Sequence, residues 1–387
     1  MRLHLTPLAL AAALIAPAAA FTAACGAADQ ADTPPQPAAK AAAARPTLES
    51  ELRQVVAAGA PGAIALVNDG HKVRLHAAGL ADRRSGRVMR ATDRFRAGSM
   101  AKPFVSTVVL QLVGEGRLSL SDTVEHWLPG ALPYGDHVTL RQLLNHTSGV
   151  PDNQAPVEAE WLKGNMTHSW APRTLVAFVA AKPQDFAAGT SWAYSNTNYM
   201  LAGLIIERVT GHRLGDELRR RILDPLHLRD TSFPVNESVI AGAHANGAAS
   251  VQGSVRDVTV LNPSGTWGAG NIVSTATDVA HFWRALLGGR LLAPAQLAAM
   301  KSTVPLMKGS TVRYGLGIFQ WPSACGPLWG HGGDIAGYSN RFQNTEDGKR
   351  QSGVVVTVNP MPEQLGELLG QTKQTAISDA LHSSKLC

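Results

Sequence analysis

The chain has 387 residues, 45% of them apolar and 17% charged, with 35 Lys+Arg against 29 Asp+Glu for a formal charge of +6. That length allows two or three lobes at the usual ~150 residues per domain, and the apolar share builds sizeable cores, which excludes a disordered or fibrous chain. The thin positive excess predicts no nucleic-acid partner: the one basic run, Arg219-Arg220-Arg221, follows acids in a helix-like stretch and reads as a solvated helix face.

Residues 1–25 read as an export signal, because Arg2 precedes a Leu/Ala run from Leu8 to Ala20 that is short for a membrane span. Cleavage after Ala18-Ala19-Ala20 gives a secreted protein, and cleavage before Cys25 gives a lipid-anchored one, although Thr22 stands where such signals usually carry an aliphatic residue. From Gly26 to Pro46, 13 of 21 residues are Ala or Pro, a composition that cannot bury enough surface to fold and predicts a tether. With Cys25 removed or lipidated, Cys325 and Cys387 remain as an even pair in an oxidising compartment. A disulfide between them closes a loop of about 60 residues, worth roughly 4 kcal/mol on the chain-entropy model, with two buried thiols as the alternative.

The folded domain, 47–387, starts at Thr47, an N-cap before Leu48, Leu52 and Val55 at helical spacing. A hairpin follows, AIALV and HKVRLHAAG joined through Asn68-Asp69-Gly70. Helical periodicity runs from Phe104 to Val113 and through TLRQLLNHTSG, PRTLVAFVAA and NYMLAGLIIERVTG. Strand-like RYGLGIFQW, GPLWGHGG and SGVVVTVN return late, before a helix around Leu365 to Leu381. This order predicts an α+β fold: an antiparallel sheet flanked by helices and built from both chain ends (about 47–110 and 250–387), with an inserted all-helical lobe (about 111–249).

Ser99 and Lys102, three apart at a helix start, share one face, and of ten lysines only Lys102 has a serine at that spacing. A serine hydroxyl needs a neighbour to take its proton, and a lysine at its reference pKa of ~10.4 is already protonated, so burial or a second partner must intervene. Tyr194-Ser195-Asn196 offers a phenol whose proton can be lost beside cations, and an amide able to bind both Lys102 and a substrate carbonyl. His331-Gly332-Gly333 adds small residues that let a substrate backbone approach a strand, with the N–H of Asp334 behind it as an oxyanion donor beside that of Ser99.

Ser99-x-x-Lys102, Tyr194-x-Asn196 and His331-x-Gly333 stand in the order and spacing of S-x-x-K, Y-x-N and [KH]-x-G. From about Thr47 onward the chain thereby resembles the serine penicillin-recognising enzymes: D-alanyl-D-alanine carboxypeptidases, class C β-lactamases and their esterase relatives. LLNHTSG ending at Gly149, STATD ending at Asp278, YGLG at Tyr314 to Gly317 and Gly337-Tyr338 support the match. The resemblance implies attack by Ser99, proton handling by Lys102 and Tyr194, substrate orientation by Asn196, electrostatic support from His331 and an acyl-serine intermediate. It makes Trp267 a cleft-wall aromatic, with a plain core tryptophan as the alternative, and leaves a second Tyr-Ser-Asn, Tyr338-Ser339-Asn340, in sheet structure.

Two positions depart from the carboxypeptidase pattern. Asp334 and Phe319 stand where a Thr and an Arg help hold a terminal carboxylate, and an acid there repels such a substrate unless Arg313 or another cation compensates. The implied substrates are cell-wall stem peptides ending in D-Ala-D-Ala, or small esters and amides, with β-lactams as inhibitors and slow release of the penicilloyl group. Esterase, amidase, D-aminopeptidase and β-lactamase action are the alternatives, and a non-catalytic penicillin-binding sensor is the remote one. The expected protein is a monomer without cofactor or metal, since no H-E-x-x-H spacing occurs and His146 reads as structural. An α/β-hydrolase is excluded because G-x-S-x-G is absent.

Overall fold

Thr47 accepts the backbone N–H of Ser50 and begins α1 (Leu48–Ala57), whose Leu48, Leu52 and Val55 are buried as the helical spacing predicts. The structure, a computed structural model, describes residues 47–251, 254–359 and 370–372, all within one compact unit. The leader, the tether, Cys25, Cys387 and hence the expected disulfide lie outside the described residues. So does the expected C-terminal helix, except 370–372, which are helical.

The hairpin forms from β1 (Gly62–Asp69) and β2 (Val73–Asp82), and β3 (Arg87–Val88) extends its edge. β1 also pairs antiparallel with β13 (Arg350–Val356), from Ala63 opposite Val356 to Asp69 opposite Arg350, so the two chain ends meet in mid-sheet. Beyond β13 follow β12 (Tyr338–Asn344), β11 (Leu328–Ile335), β10 (Phe319–Trp321), β9 (Arg313–Tyr314) and β8 (Val304–Pro305), completing nine antiparallel strands. Both faces are covered, which is why β1 and β13 read as continuous apolar runs. On one face α1 packs on Ala63, Ala65, Val67, Val354 and Val356. On the other lie α2 (Ala101–Gly114) and α9 (Ala276–Leu287), joined by Phe104 stacked on Phe282 with ring centroids 3.6 Å apart.

Two short strands, β4 (Phe95–Gly98) and β7 (Ile272–Ser274), pair with each other and frame the helical lobe, and β5 (Ala248–Val251) and β6 (Ser254–Asp257) make a separate hairpin. The lobe contains α3 (Val124–Trp127), α4 (Leu140–Leu144), α5 (Gln154–Leu162), α6 (Pro172–Ala180), α7 (Asn196–Thr210) and α8 (Leu214–Leu218). Outside it, α10 (Pro294–Lys301) leads into β8. α7 is almost wholly buried and carries the second motif into the core. Of the basic run, Arg220 and Arg221 are ion-paired with Glu217, and Arg221 also with Glu115.

Candidate active site

The turn between β4 and α2 sets the nucleophile. Gly98 sits at φ +53°, and a Cβ there would lie 3.0–3.1 Å from the Asp334 backbone, so a side chain would push β11 away from the turn. Ser99 follows half-buried at the cleft floor, and the Lys102 N–H donates to its carbonyl at 3.1 Å. Lys102, one residue into α2, is fully buried. Its Nζ lies 3.0 Å from Ser99 Oγ, 2.8 Å from Asn196 Oδ1 and 2.9 Å from the Ala269 carbonyl. Burial pulls this amine from an ordinary 10.5 down to about 7, against the opposing pull of the Asp152 carboxylate. Near neutral pH a large fraction of Lys102 therefore carries a free lone pair beside the Ser99 hydroxyl.

Tyr194 hydrogen-bonds Ser99 from the opposite side, with Lys102 Nζ 4.7 Å from its ring centroid. Burial pushes its phenol well above the usual value, more strongly than the Ser99 hydrogen bond lowers it. The expectation of a phenol deprotonated by neighbouring cations is thereby corrected: desolvation wins and Tyr194 keeps its proton. Asn196 opens α7, gives its backbone N–H to Asp152 Oδ1 at 2.8 Å and turns its side-chain oxygen to Lys102. His146, buried at φ +63°, accepts the Ser195 N–H on Nδ1 at 3.2 Å and lies 4.3 Å from the Tyr194 ring, so it supports the second motif from below.

His331 on β11 is also buried. Tyr314 donates to its Nε2 at 3.0 Å, and its Nδ1 hydrogen-bonds the Gly332 carbonyl, which fixes the tautomer. Burial and the neighbouring Lys102 drive its pKa from 6.5 to about 3. The imidazole is therefore neutral, and any support it lends the strand edge acts through these hydrogen bonds.

These groups open into a cleft of about 830 Å³ lined by Ser99, Tyr194, Asn196 and His331. Three carboxylates, Asp152, Glu158 and Asp334, also line it, as do Phe319, Trp321 and Arg341. Asp152 and Glu158 are both held above the usual carboxylate range, first by burial, and the Asp152 charge adds to the rise at Glu158. Phe319 stacks on Trp321 at 5.2 Å and meets the His331 ring at 5.0 Å.

Three further expectations meet a different arrangement. Trp267 does not line the cleft: only 4% exposed, its ring packs where a Cβ on Gly203 of α7 would stand, as a core tryptophan does. A Cβ on Gly333 would fall 1.8 Å from the Ala97 carbonyl, so its smallness seats β11 against β4, while Gly332 faces the cleft. Arg313 is bound to the Thr303 hydroxyl and carbonyl and cannot serve as the compensating cation. The second Tyr-Ser-Asn lies in β12, where Asn340 donates to the Ala97 and Gly333 carbonyls and fastens β4 to β11. Asp152, Glu158, Trp321 and Arg341 were not singled out by the sequence, and Asp152 had only its nearness to the HTSG segment to mark it.

The model of the family described as Beta-lactamase matches residues 48–373. The chain belongs to that family. It is 28% identical over 293 residues to Penicillin-binding protein 4* of Bacillus subtilis (strain 168), covering 72% of this chain and 64% of that relative's length. A D-stereospecific amidohydrolase from Streptomyces sp. superposes with a TM-score of 0.78 at 36% identity, over 87% of this chain and 98% of the other. The D-amino acid amidase from Ochrobactrum anthropi SV3 follows at 0.75 and 27%, over 84% and 96%.

Proposed function

We propose that this chain is an exported amidohydrolase working through an acyl-serine, with substrates that carry an ammonium group near the scissile carbonyl. One observation carries the reading: Asp152, Glu158 and Asp334 give the catalytic cleft three carboxylates. In a partly dry cleft, opposite charges a few ångströms apart attract by several kcal/mol, and a substrate carboxylate is repelled to the same degree. The amidohydrolase and amidase named among the similar structures support D-configured aminoacyl substrates.

Neutral Lys102 takes the Ser99 proton as Oγ bonds to the carbonyl carbon, and the backbone N–H groups of Ser99 and Asp334 receive the oxyanion. Tyr194, still protonated, delivers its proton to the leaving nitrogen as the C–N bond breaks, and the Lys102 ammonium replaces that proton. Water then attacks the ester and the same groups run in reverse. Asn196, held by Asp152, is placed to orient the substrate amide.

D-Ala-D-Ala carboxypeptidase action and esterase action are the competing readings within the family. A parallel assay on a D-amino-acid amide, its N-acetyl derivative, an N-acyl-D-Ala-D-Ala peptide, a p-nitrophenyl ester and nitrocefin ranks them. The free-amine amide is expected to exceed its N-acetyl derivative in kcat/KM by tenfold or more. Equal or better turnover of the N-acylated substrates overturns the ammonium reading.

A further inference from the structure

His146 holds the chain on both sides of Tyr194. Its carbonyl accepts the Ala193 N–H at 3.1 Å, and its Nδ1 accepts the Ser195 N–H at 3.2 Å. The two amides that flank the phenol are thus pinned to one residue. Asn198, in the first turn of α7, turns its Nδ2 to the same Nδ1 at 3.1 Å, while its own oxygen is taken by the Ser148 hydroxyl at 2.7 Å. Two donors converging on Nδ1 leave the imidazole proton on Nε2.

That Nε2 is buried and, among the described residues, has no hydrogen-bond partner. Four aromatic rings surround the imidazole, with centroids at 4.3 Å for Tyr194, 4.9 Å for Tyr314, 5.5 Å for Tyr199 and 5.8 Å for Trp192. The nearest is the phenol that meets Ser99. Tyr314 in turn donates to His331, so the same imidazole touches the supports of the second and third motifs. The backbone of His146 sits at φ +63°, a left-handed conformation that only His227 shares among the described non-glycine residues. A buried donor without an acceptor and a left-handed non-glycine residue are each costly, and such costs collect where geometry serves function. An apolar side chain would remove the unpaired donor. It would also take the acceptor away from the Ser195 N–H.

We propose that His146 is a positioning residue for Tyr194, fixing the main chain on either side of the phenol and flooring its ring so that the hydroxyl stays aligned between Ser99 and the leaving nitrogen. This rests on the mechanism above, in which Tyr194 gives its proton to that nitrogen. The histidine of LLNHTSG then serves the reaction as well as the core.

The test is a double-mutant cycle of His146→Leu and Tyr194→Phe, read as kcat/KM on D-alaninamide and as the labelling rate with a fluorescent penicillin, both of which break a C–N bond. Rates are taken per reactive site, counted from adduct mass. His146→Leu is expected to slow both roughly 10- to 100-fold when Tyr194 is present, and less than about threefold in Tyr194→Phe. His146→Asn, whose Oδ1 falls near the place of Nδ1 and which tolerates positive φ, should recover most of the loss. Equal slowing in both Tyr194 backgrounds, or none in either, overturns the proposal. Should His146→Leu not fold, His146→Gln, whose amide ends one bond beyond the Nδ1 position, takes its place with the same expectations. The step is read from the p-nitrophenyl ester of D-alanine, whose leaving group departs without a proton: His146→Leu should lower the amide-to-ester ratio of kcat/KM roughly tenfold or more, as Tyr194→Phe does. A ratio that falls in Tyr194→Phe but not in His146→Leu also overturns the positioning role. If Tyr194→Phe leaves the ratio unchanged, the proton-donor reading fails by itself and the cycle still decides for His146. Should neither C–N substrate react, the amidohydrolase reading fails, and the cycle is judged on the ester by the same criteria.

Discussion

On the proposed mechanism, Lys102 sets the pH dependence of hydrolysis. Its amine titrates at about 7, while His331, at about 3, stays neutral and Tyr194 stays protonated across the same range. Acylation therefore requires loss of one proton, and kcat/KM should rise through a single acid limb centred near 7, with roughly a tenth of the plateau at pH 6 and nine-tenths at pH 8. Burial lowers the Lys102 value and the Asp152 carboxylate opposes it by favouring the ammonium, so Asp152→Asn removes the charge that holds the value up. The limb should move to lower pH by on the order of one unit, the usual effect of a nearby opposite charge. A pH series from 5 to 9 on a p-nitrophenyl ester, with ionic strength held constant, reads both values. A limb centred above 9, or a shift to higher pH in Asp152→Asn, would refute the view that burial makes Lys102 the base.

Ser99→Ala should abolish labelling by a fluorescent penicillin without unfolding the protein, and Lys102→Ala should slow labelling by several orders of magnitude; retained labelling in either removes that residue from the assigned role. β-Lactams should leave a stable adduct on the Ser99 peptide in mass spectra, and rapid nitrocefin turnover would contradict slow release. Wild-type stability should rise as pH climbs from about 7 toward 10.5, because across that window the unfolded chain holds a proton that native Lys102 has lost. Lys102→Met lacks this gain, so the wild-type-minus-variant difference from urea titrations should grow by about 2.5 kcal/mol between pH 6 and pH 9, and no growth would mean the amine is not depressed by burial.

The three motifs were legible because each pairs a chemical necessity with a local structural cue: a helix start at Ser99, an apolar helix after Tyr194-Ser195-Asn196, glycines on a strand after His331. The sheet's assembly from both chain ends was legible from the order of elements, a hairpin first, helices in the middle and strand-like segments late, and β1 does pair with β13. Protonation states were not legible, because they depend on burial that only the folded chain creates. Tyr194 was read as a phenol able to lose its proton, which desolvation denies it, and the neutrality of His331 likewise follows from burial. Asp152 and Arg341 escaped notice because a lone acid in a loop and an arginine in a strand mark no chemistry until the fold turns them into one cleft. Trp267 stayed open because an aromatic in a glycine-rich stretch reads alike for a groove wall and for the core, and the space over Gly203 decides for the core.

The proposed catalysis draws on three stretches far apart along the polypeptide, near 99, near 194 and near 331, and the last is locked in place by strands running to Val356. On that proposal a chain emerging from the ribosome stays inert until β13 has been made. Any fragment ending before β11 lacks the catalytic histidine strand, so the appearance of hydrolytic activity during refolding would report closure of the whole sheet, and partial intermediates would be silent in that assay.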